Sequence, residues 1–253
     1  MAESLSEELL QPDKLPAASE AISKDPWERE VDGIYNAMLF IHQKARLISN
    51  GGLDRQDILN IHKIVMDDPL NPEKTGVLRT SEVIVRGKIN GEVREAAFTP
   101  TDTHFLSEYF NEFCTELEER TQNFSISTDI SGVIETATWA HHRFIEIHPF
   151  EDGNGRTVRL IVDFIFRKAR LPYIRDWGAK GDEYNNVVYR IYSENNLNLL
   201  KFFLAKKLYN RLEEIESQYA SKITNGKGFL EYVKGRMSET HRYLGILSTN
   251  NAS

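Results

Sequence analysis

The sequence predicts a mostly α-helical bundle carrying a single β-hairpin. Apolar residues recur at helical spacing in most segments of the 253-residue chain. Only the stretch around Thr80–Thr99 alternates with a period of two. Turn-forming residues sit between these patterns rather than inside them, as at Gly51-Gly52, Asp67–Lys74 and Leu171-Pro172. Together they mark helices, one hairpin and short connections.

Residues 1–25 mix Ser, Glu, Pro and Ala without a sustained apolar face, so a tail or an isolated helix is expected there. Val31, Ile34, Tyr35, Met38 and Ile41 then line one helical face, which Gly51 and Gly52 bring to an end. A second amphipathic helix covers Asp57–Met66. Val83, Val85 and the run Glu92–Phe98 read as strands, with Gly87–Gly91 supplying residues that tolerate positive φ in the turn. A helix over Asp102–Glu119 places Phe105, Leu106, Tyr109, Phe110 and Phe113 on one side. Ser131–Ile147 is apolar enough for a buried central helix and runs straight into His148. Leu160, Ile161, Phe164 and Ile165 mark the next helix, and Tyr184–Tyr192 and Leu197–Tyr219 mark two more. The domain reading is a catalytic unit over 26–222, preceded by the 1–25 segment and followed by a C-terminal extension over 223–253.

Composition narrows the function classes. A hydrophobic content of 40% and a charged content of 27% suit a globular protein. The formal net charge of −7 offers no basic field for nucleic acid, so a protein or small-molecule partner is expected. The opening MAESLSEELLQPDKLP has neither the charged nor the apolar region of a secretory signal, and no apolar run reaches membrane-spanning length. The expected location is the cytoplasm, the cell's own or that of a host. Cys114 is the single cysteine, which excludes an intrachain disulfide and a thiolate metal cluster, and its surroundings predict a buried apolar role.

The chemistry lies in the segment from His148 to Arg159, which joins two apolar helices. Gly153, Asn154 and Gly155 can form a nest of backbone N–H groups, and the helix starting there adds the positive end of its dipole. Arg156 and Arg159, three apart, project on one side where guanidinium forks suit phosphate oxygens. Asp152 supplies a hard oxygen ligand of the kind Mg²⁺ shares with a polyphosphate. His148 is the nearby group able to take a proton near neutral pH. Base, metal ligand and phosphate cradle point to attack of a hydroxyl on a phosphate. The same composition would suit a rigid helix–helix connection, with Arg156 or Arg159 exposed or paired to a carboxylate.

His148–Arg159 fills all nine specified positions of HPFxDGNGRxxR, and the chain thereby resembles the Fic family. GVLRTSEVIV is similar to that family's flap strand, and HHRFIEIHPF to the end of its central helix, so the resemblance spans roughly 30–210. It implies a Fic-type helical bundle with the hairpin flap beside the active-site loop. It also implies an adenylyltransferase, with ATP as co-substrate and Mg²⁺ as cofactor. His148 then deprotonates a target hydroxyl and Asp152 holds Mg²⁺. Gly153, Asn154 and Gly155 form the anion cradle, Arg156 and Arg159 contact the terminal phosphates, and Phe150 anchors the loop. The flap over about Thr80–Thr99 would pair with an extended segment of the target protein. Tyr184 falls where an aromatic often borders the adenine, a core tyrosine being the competing reading. Ile191 stands where relatives often carry a polar residue near the base.

Relatives on this fold transfer UMP, phosphate or phosphocholine, but the intact motif favours AMP. A catalytically silent nucleotide-binding adaptor is disfavoured by the presence of both His148 and Asp152. The family's inhibitory pattern, Ser/Thr-x-x-x-Glu-Gly/Asn, has no complete match. Ser4/Glu8, Thr115/Glu119 and Ser131/Glu135 have the spacing but lack the following Gly or Asn, and Ser221–Gly226 carries Asn225 in place of Glu. Inhibition is therefore expected from a separate small protein, or from a degenerate helix around Ser4–Glu8. Among the histidines, one of His141 and His142 is expected to be packed and the other exposed, while His42, His62, His104 and His241 show no functional spacing.

Overall fold

The computed structural model describes residues 26–47, 51–66, 72–89, 92–95, 98–177, 182–220 and 227–250. The 1–25 segment, with Ser4 and Glu8, and the Ser221–Gly226 pattern lie outside them. The helices, in chain order, are α1 (Pro26–Leu47), α2 (Arg55–Met66), α3 (Thr103–Thr121), α4 (Ile130–Ile147), α5 (Asn154–Lys168), α6 (Asp182–Ser193), α7 (Asn198–Ala220) and α8 (Lys227–Asn250). Between α2 and α3 a hairpin pairs β1 (Arg86–Ile89) with β2 (Glu92–Glu95). The mostly helical architecture with one hairpin is thus present as expected.

The core is centred on α4 and α5. Asp129 caps α4 by accepting from the Gly132 amide at 2.8 Å. Val133, Ile134, Ala137, Ala140 and Phe144 are then fully buried along that helix. Helix α5 buries Val158, Ile161, Phe164 and Ile165 and packs against α4, α1 and α2. Each fully buried aliphatic or aromatic side chain of this kind contributes roughly 1.5–3 kcal/mol. The two helices that flank the motif loop therefore form the most tightly held part of the molecule.

The C-terminal segment is built into the bundle. Phe229, Val233, Tyr243 and Leu247 of α8 are buried, and α8 packs on α7 and α4. Glu239 accepts from the Ile130 amide at 2.7 Å, satisfying one of the free donors at the start of α4.

Among the described residues the hairpin is a short ladder. The ladder runs from Arg86↔Glu95 to Ile89↔Glu92 and Val83 and Val85 precede it, while residues 90–91 of the expected turn and 96–97 of the expected second strand lie outside the described residues. Every residue of β2 is exposed, so period-two alternation here marks a surface ribbon rather than a half-buried strand. A two-stranded ribbon is marginal alone. Its support comes from contacts between β1 and α6, and from Glu82, which accepts from the Thr103 amide at 2.8 Å and its hydroxyl at 2.7 Å.

Candidate active site

Helix α4 ends at His148, which adopts the left-handed conformation (φ 49°, ψ 60°) while its amide donates to the Phe144 carbonyl at 2.9 Å. That turn lifts the imidazole out of the helix and sends the chain into the motif loop. Phe150 drops into the core, fully buried against Phe110 and Phe144. Asn154 also points inward. Its Oδ1 accepts from the Phe150 amide at 3.1 Å and its Nδ2 donates to the Phe150 carbonyl at 2.8 Å. The Asn154 side chain thus closes the loop on Phe150, which leaves the cradle expected of Gly153, Asn154 and Gly155 to their backbone N–H groups, beside the cavity that all three line.

Gly153 stands at the N-cap of α5 with φ 76° and no side-chain cap. A Cβ at this position would lie 2.4 Å from Met66 Sδ, so glycine is required by both conformation and space. The uncapped first turn of α5 leaves its amides open toward a cavity of about 500 Å³. Its walls come from the flap (Ile84, Arg86, Arg94), the loop (His148, Asp152, Gly155) and α6 (Tyr184, Asn185, Tyr189).

Burial pulls the His148 imidazole down to about 4, partly offset by the backbone of Ile145, so it is neutral at physiological pH and able to accept a proton. The Asp152 carboxylate is 78% exposed at the cavity rim, with Oδ1 accepting from the Gly153 amide at 2.6 Å. Arg156 and Arg159 both line a neighbouring cavity of about 200 Å³, together with Ile34, Met38, Tyr173 and Trp177. Arg156 is paired with the carboxylates of Asp152 at 3.1 Å and of Glu30 at 3.2 Å. Arg159 lies 5.2 Å from the ring centre of Tyr184.

Residues 52–166 match the family model described as Fic/DOC family. This segment is similar to the Fic/DOC family. A protein adenylyltransferase, fic-1 of Caenorhabditis elegans, is 29% identical over 143 residues, 56% of this chain and 25% of that protein. The protein adenylyltransferase Fic of Aedes aegypti is 32% identical over 144 residues, with coverages of 56% and 25%. The chain spans about a quarter of the length of these curated relatives. Among solved structures, Fic-1 (residues 134–508) of C. elegans superposes with a TM-score of 0.54 at 24% identity, covering 77% of this chain and 52% of that one. BepC of Bartonella tribocorum, solved with bound AMPPNP, has a TM-score of 0.51 at 14% identity, with coverages of 72% and 86%. The fold is that of Fic domains.

Two residues that hold the motif loop carry no signal in the motif. His62, on α2, stacks on Phe150 with ring centres 3.7 Å apart and planes 11° from parallel. Its Nδ1 accepts from the Gly76 amide at 2.8 Å, so the proton resides on Nε2, which donates to the Asp152 carbonyl at 3.0 Å. Burial depresses its pKa to about 4, keeping the ring neutral, and these two hydrogen bonds fix the tautomer. Arg79, 4% exposed, donates from Nε to the His148 carbonyl at 2.8 Å, while its amide donates to the Pro149 carbonyl at 2.9 Å. Its terminal nitrogens reach the carbonyls of Ser81 and Thr101 at the two ends of the flap. A single histidine on an amphipathic helix, and an arginine before a strand, look like surface residues in sequence; only tertiary contact reveals them.

Other expectations need correction. Ile191 is 2% exposed and faces the core, so it does not border the cavity; Asn185, Val188 and Tyr189 do, from the same helix. His142 is half-buried and stacks on Tyr192, whereas His141 is fully buried, so neither is fully exposed. Cys114 is buried as expected, its thiol pushed up to about 12 by burial. Thr115/Glu119 and Ser131/Glu135 lie on α3 and α4, and none of them lines the cavity that Arg156 and Arg159 share.

Proposed function

We propose that this chain is a protein adenylyltransferase, with ATP as co-substrate and a Tyr, Ser or Thr hydroxyl of a target protein as acceptor. The observation that carries this reading is a neutral, half-buried His148 at the mouth of the same cavity that the open first turn of α5 lines with backbone donors. The names of the curated relatives and the nucleotide analogue in the BepC structure support it.

In this reading the target hydroxyl oxygen forms a bond to the α-phosphorus of ATP as its proton passes to His148. The bond from that phosphorus to the oxygen bridging it to the β-phosphate breaks, and pyrophosphate leaves. The amides at the start of α5 stabilise the charge gathered on the transferring phosphate, and Arg156 and Arg159 hold the departing phosphates. The flap presents the target segment, since its exposed β2 edge has free backbone groups for strand addition.

No cluster of three or more His, Cys, Asp or Glu among the described residues could hold a metal alone. An exposed single carboxylate beside a phosphate cradle fits Mg²⁺ carried in by the nucleotide, and Asp152 is that group. When bound, Mg²⁺ neutralises phosphate charge. Asp152 must first leave Arg156, which frees the guanidinium for phosphate oxygens.

Control of the activity by a separate small protein belongs to the same proposal, as does cytoplasmic action. No helix among the described residues is long and apolar enough to cross a membrane. Incubation of the chain with ATP labelled at either the α- or the γ-phosphate, in a lysate, tests the reaction: AMP transfer labels protein only from the α position, and phosphate transfer only from the γ position.

A further inference from the structure

The cavity of about 500 Å³ changes character along α6. Tyr184, Val188 and Tyr192 line it at intervals of four residues, on one face of that helix, so the first and last are about 12 Å apart along its axis. Arg159 stands at the Tyr184 end, its guanidinium 5.2 Å from the ring centre, so in the reading above the terminal phosphates lie there. Phe98 stands at the Tyr192 end, stacked on that ring with centres 4.3 Å apart and planes 28° from parallel. Its own centre is 6.5 Å from the imidazole of His148, so the end nearest the proposed base is aromatic.

That aromatic wall is fixed in place. His142 stacks on Tyr192 with ring centres 5.0 Å apart, and the Tyr192 hydroxyl donates to the His142 carbonyl at 3.1 Å. The polar tip of Tyr192 is thereby turned onto α4, and its ring carbons are left to the cavity that Val188 and Ile145 also line. Phe98 follows the end of β2 by three residues, so the wall joins the flap to the base. A serine or threonine side chain carries too little carbon to cover two aromatic rings, whereas a phenol packs its ring on them and offers its hydroxyl from the tip. Acidity points the same way. Burial holds the His148 imidazole at about 4. So weak a base takes a proton more readily from a phenol, whose ordinary pKa is about 10, than from a far less acidic aliphatic alcohol.

We infer that the acceptor is a tyrosine, its ring packed on Phe98 and Tyr192 and its hydroxyl oxygen at His148. This rests on the reading above of His148 as the base of an AMP transfer, and names the acceptor class of that same site. The phenol oxygen bonds to the α-phosphorus as its proton passes to the imidazole, and the bond from that phosphorus to the oxygen bridging it to the β-phosphate breaks to release pyrophosphate. Phe98 is thus a specificity-determining residue for the acceptor.

The test is peptide mass spectrometry of a lysate incubated with the full chain, Mg²⁺ and ATP, which locates AMP residue by residue on lysate proteins and on the chain itself. Wild type is expected to place AMP on tyrosines, with at most about a tenth of the total on Ser and Thr. In Phe98→Ala the AMP on tyrosine falls about tenfold, the scale of one lost aromatic pair. The affinity of that variant for α,β-methylene-ATP, whose scissile bridge cannot break, changes less than twofold by calorimetry. AMP carried mainly on Ser or Thr by wild type overturns the inference. So does a parallel loss of nucleotide affinity in Phe98→Ala, which gives the wall to the nucleobase, and so does undiminished tyrosine modification by that variant. Should Phe98→Ala fail to fold, Phe98→Leu, which keeps the apolar bulk and removes the aromatic face, is read in its place, and the acceptor identity in wild type needs no variant. A wild type that adds AMP to no residue overturns instead the reading of the chain as an adenylyltransferase.

Discussion

Arg79 Nε donates to the carbonyl oxygen of His148 across 2.8 Å, tying the residue proposed as the base to a side chain that also clamps both ends of the flap. The left-handed turn that lifts the imidazole toward the cavity is therefore braced from the flap side of the molecule.

Arg79→Lys retains the charge but cannot span the His148, Ser81 and Thr101 carbonyls together. Leaving buried carbonyls without donors is expected to cost about 2–3 kcal/mol in urea unfolding. Turnover corrected for the folded fraction should also fall at least tenfold, while ATP affinity stays close to wild type. Turnover that follows the folded fraction alone would remove Arg79 from the positioning of His148.

Gly153→Ala places a methyl where φ is 76° and Met66 Sδ is 2.4 Å away. The left-handed conformation alone costs roughly 1–2 kcal/mol for a residue with a Cβ. The variant should lose that much stability or more by thermal melting. Its ATP affinity should fall as the first turn of α5 shifts, with a wild-type dissociation constant counting against the cradle.

Glu30→Gln removes one of the two carboxylates on Arg156. Because the Glu30 partner is partly exposed, the pair contributes less than about 1 kcal/mol to stability, and the melting temperature should barely move. ATP affinity should rise a few-fold, since phosphate no longer competes with that carboxylate. Weaker ATP binding in Glu30→Gln would show that the contact helps to present Arg156 instead of occupying it.

The pH dependence follows from three buried histidines. His62 and His148 are depressed from 6.5 to about 4 and His141 to about 3, so the unfolded chain takes up these protons before the folded one does. Their contribution to stability is complete above 6.5 and is lost as pH falls toward 4. Asp163, raised by burial to about 7, works in the opposite sense but offsets only one proton. Urea midpoints should thus drop steadily between pH 6.5 and 4.5. Over the range where the chain stays folded, kcat/KM should remain level below pH 6.5, because His148 is still neutral there. An acid limb centred at 6.5 would contradict the buried setting of His148.

Most of the fold was legible in the sequence, because long amphipathic helices announce themselves by apolar period and the glycines and prolines between them mark the ends. The site was legible where neighbouring residues carry the chemistry, as along His148–Arg159. It was not legible where the contact spans the chain. The role of the Asn154 side chain in closing the loop on Phe150 is not written in the motif's spacing. Glu30 has no inhibitory pattern around it, yet reaches Arg156. Ile191 and Asn185 share a helix, and only the rotation of α6 decides which of them meets the cavity.

Peptide mass spectrometry of a lysate incubated with Mg²⁺ and ATP, run side by side with wild type and His148→Ala, tests the central claim most directly. Wild type should add one AMP to a hydroxyl side chain of a target or of itself. His148→Ala should lower that signal by at least 10²-fold, the least expected from loss of a general base, while binding ATP with wild-type affinity. Equal AMP addition by His148→Ala, or a modification with the mass of phosphate rather than of AMP, would contradict the account.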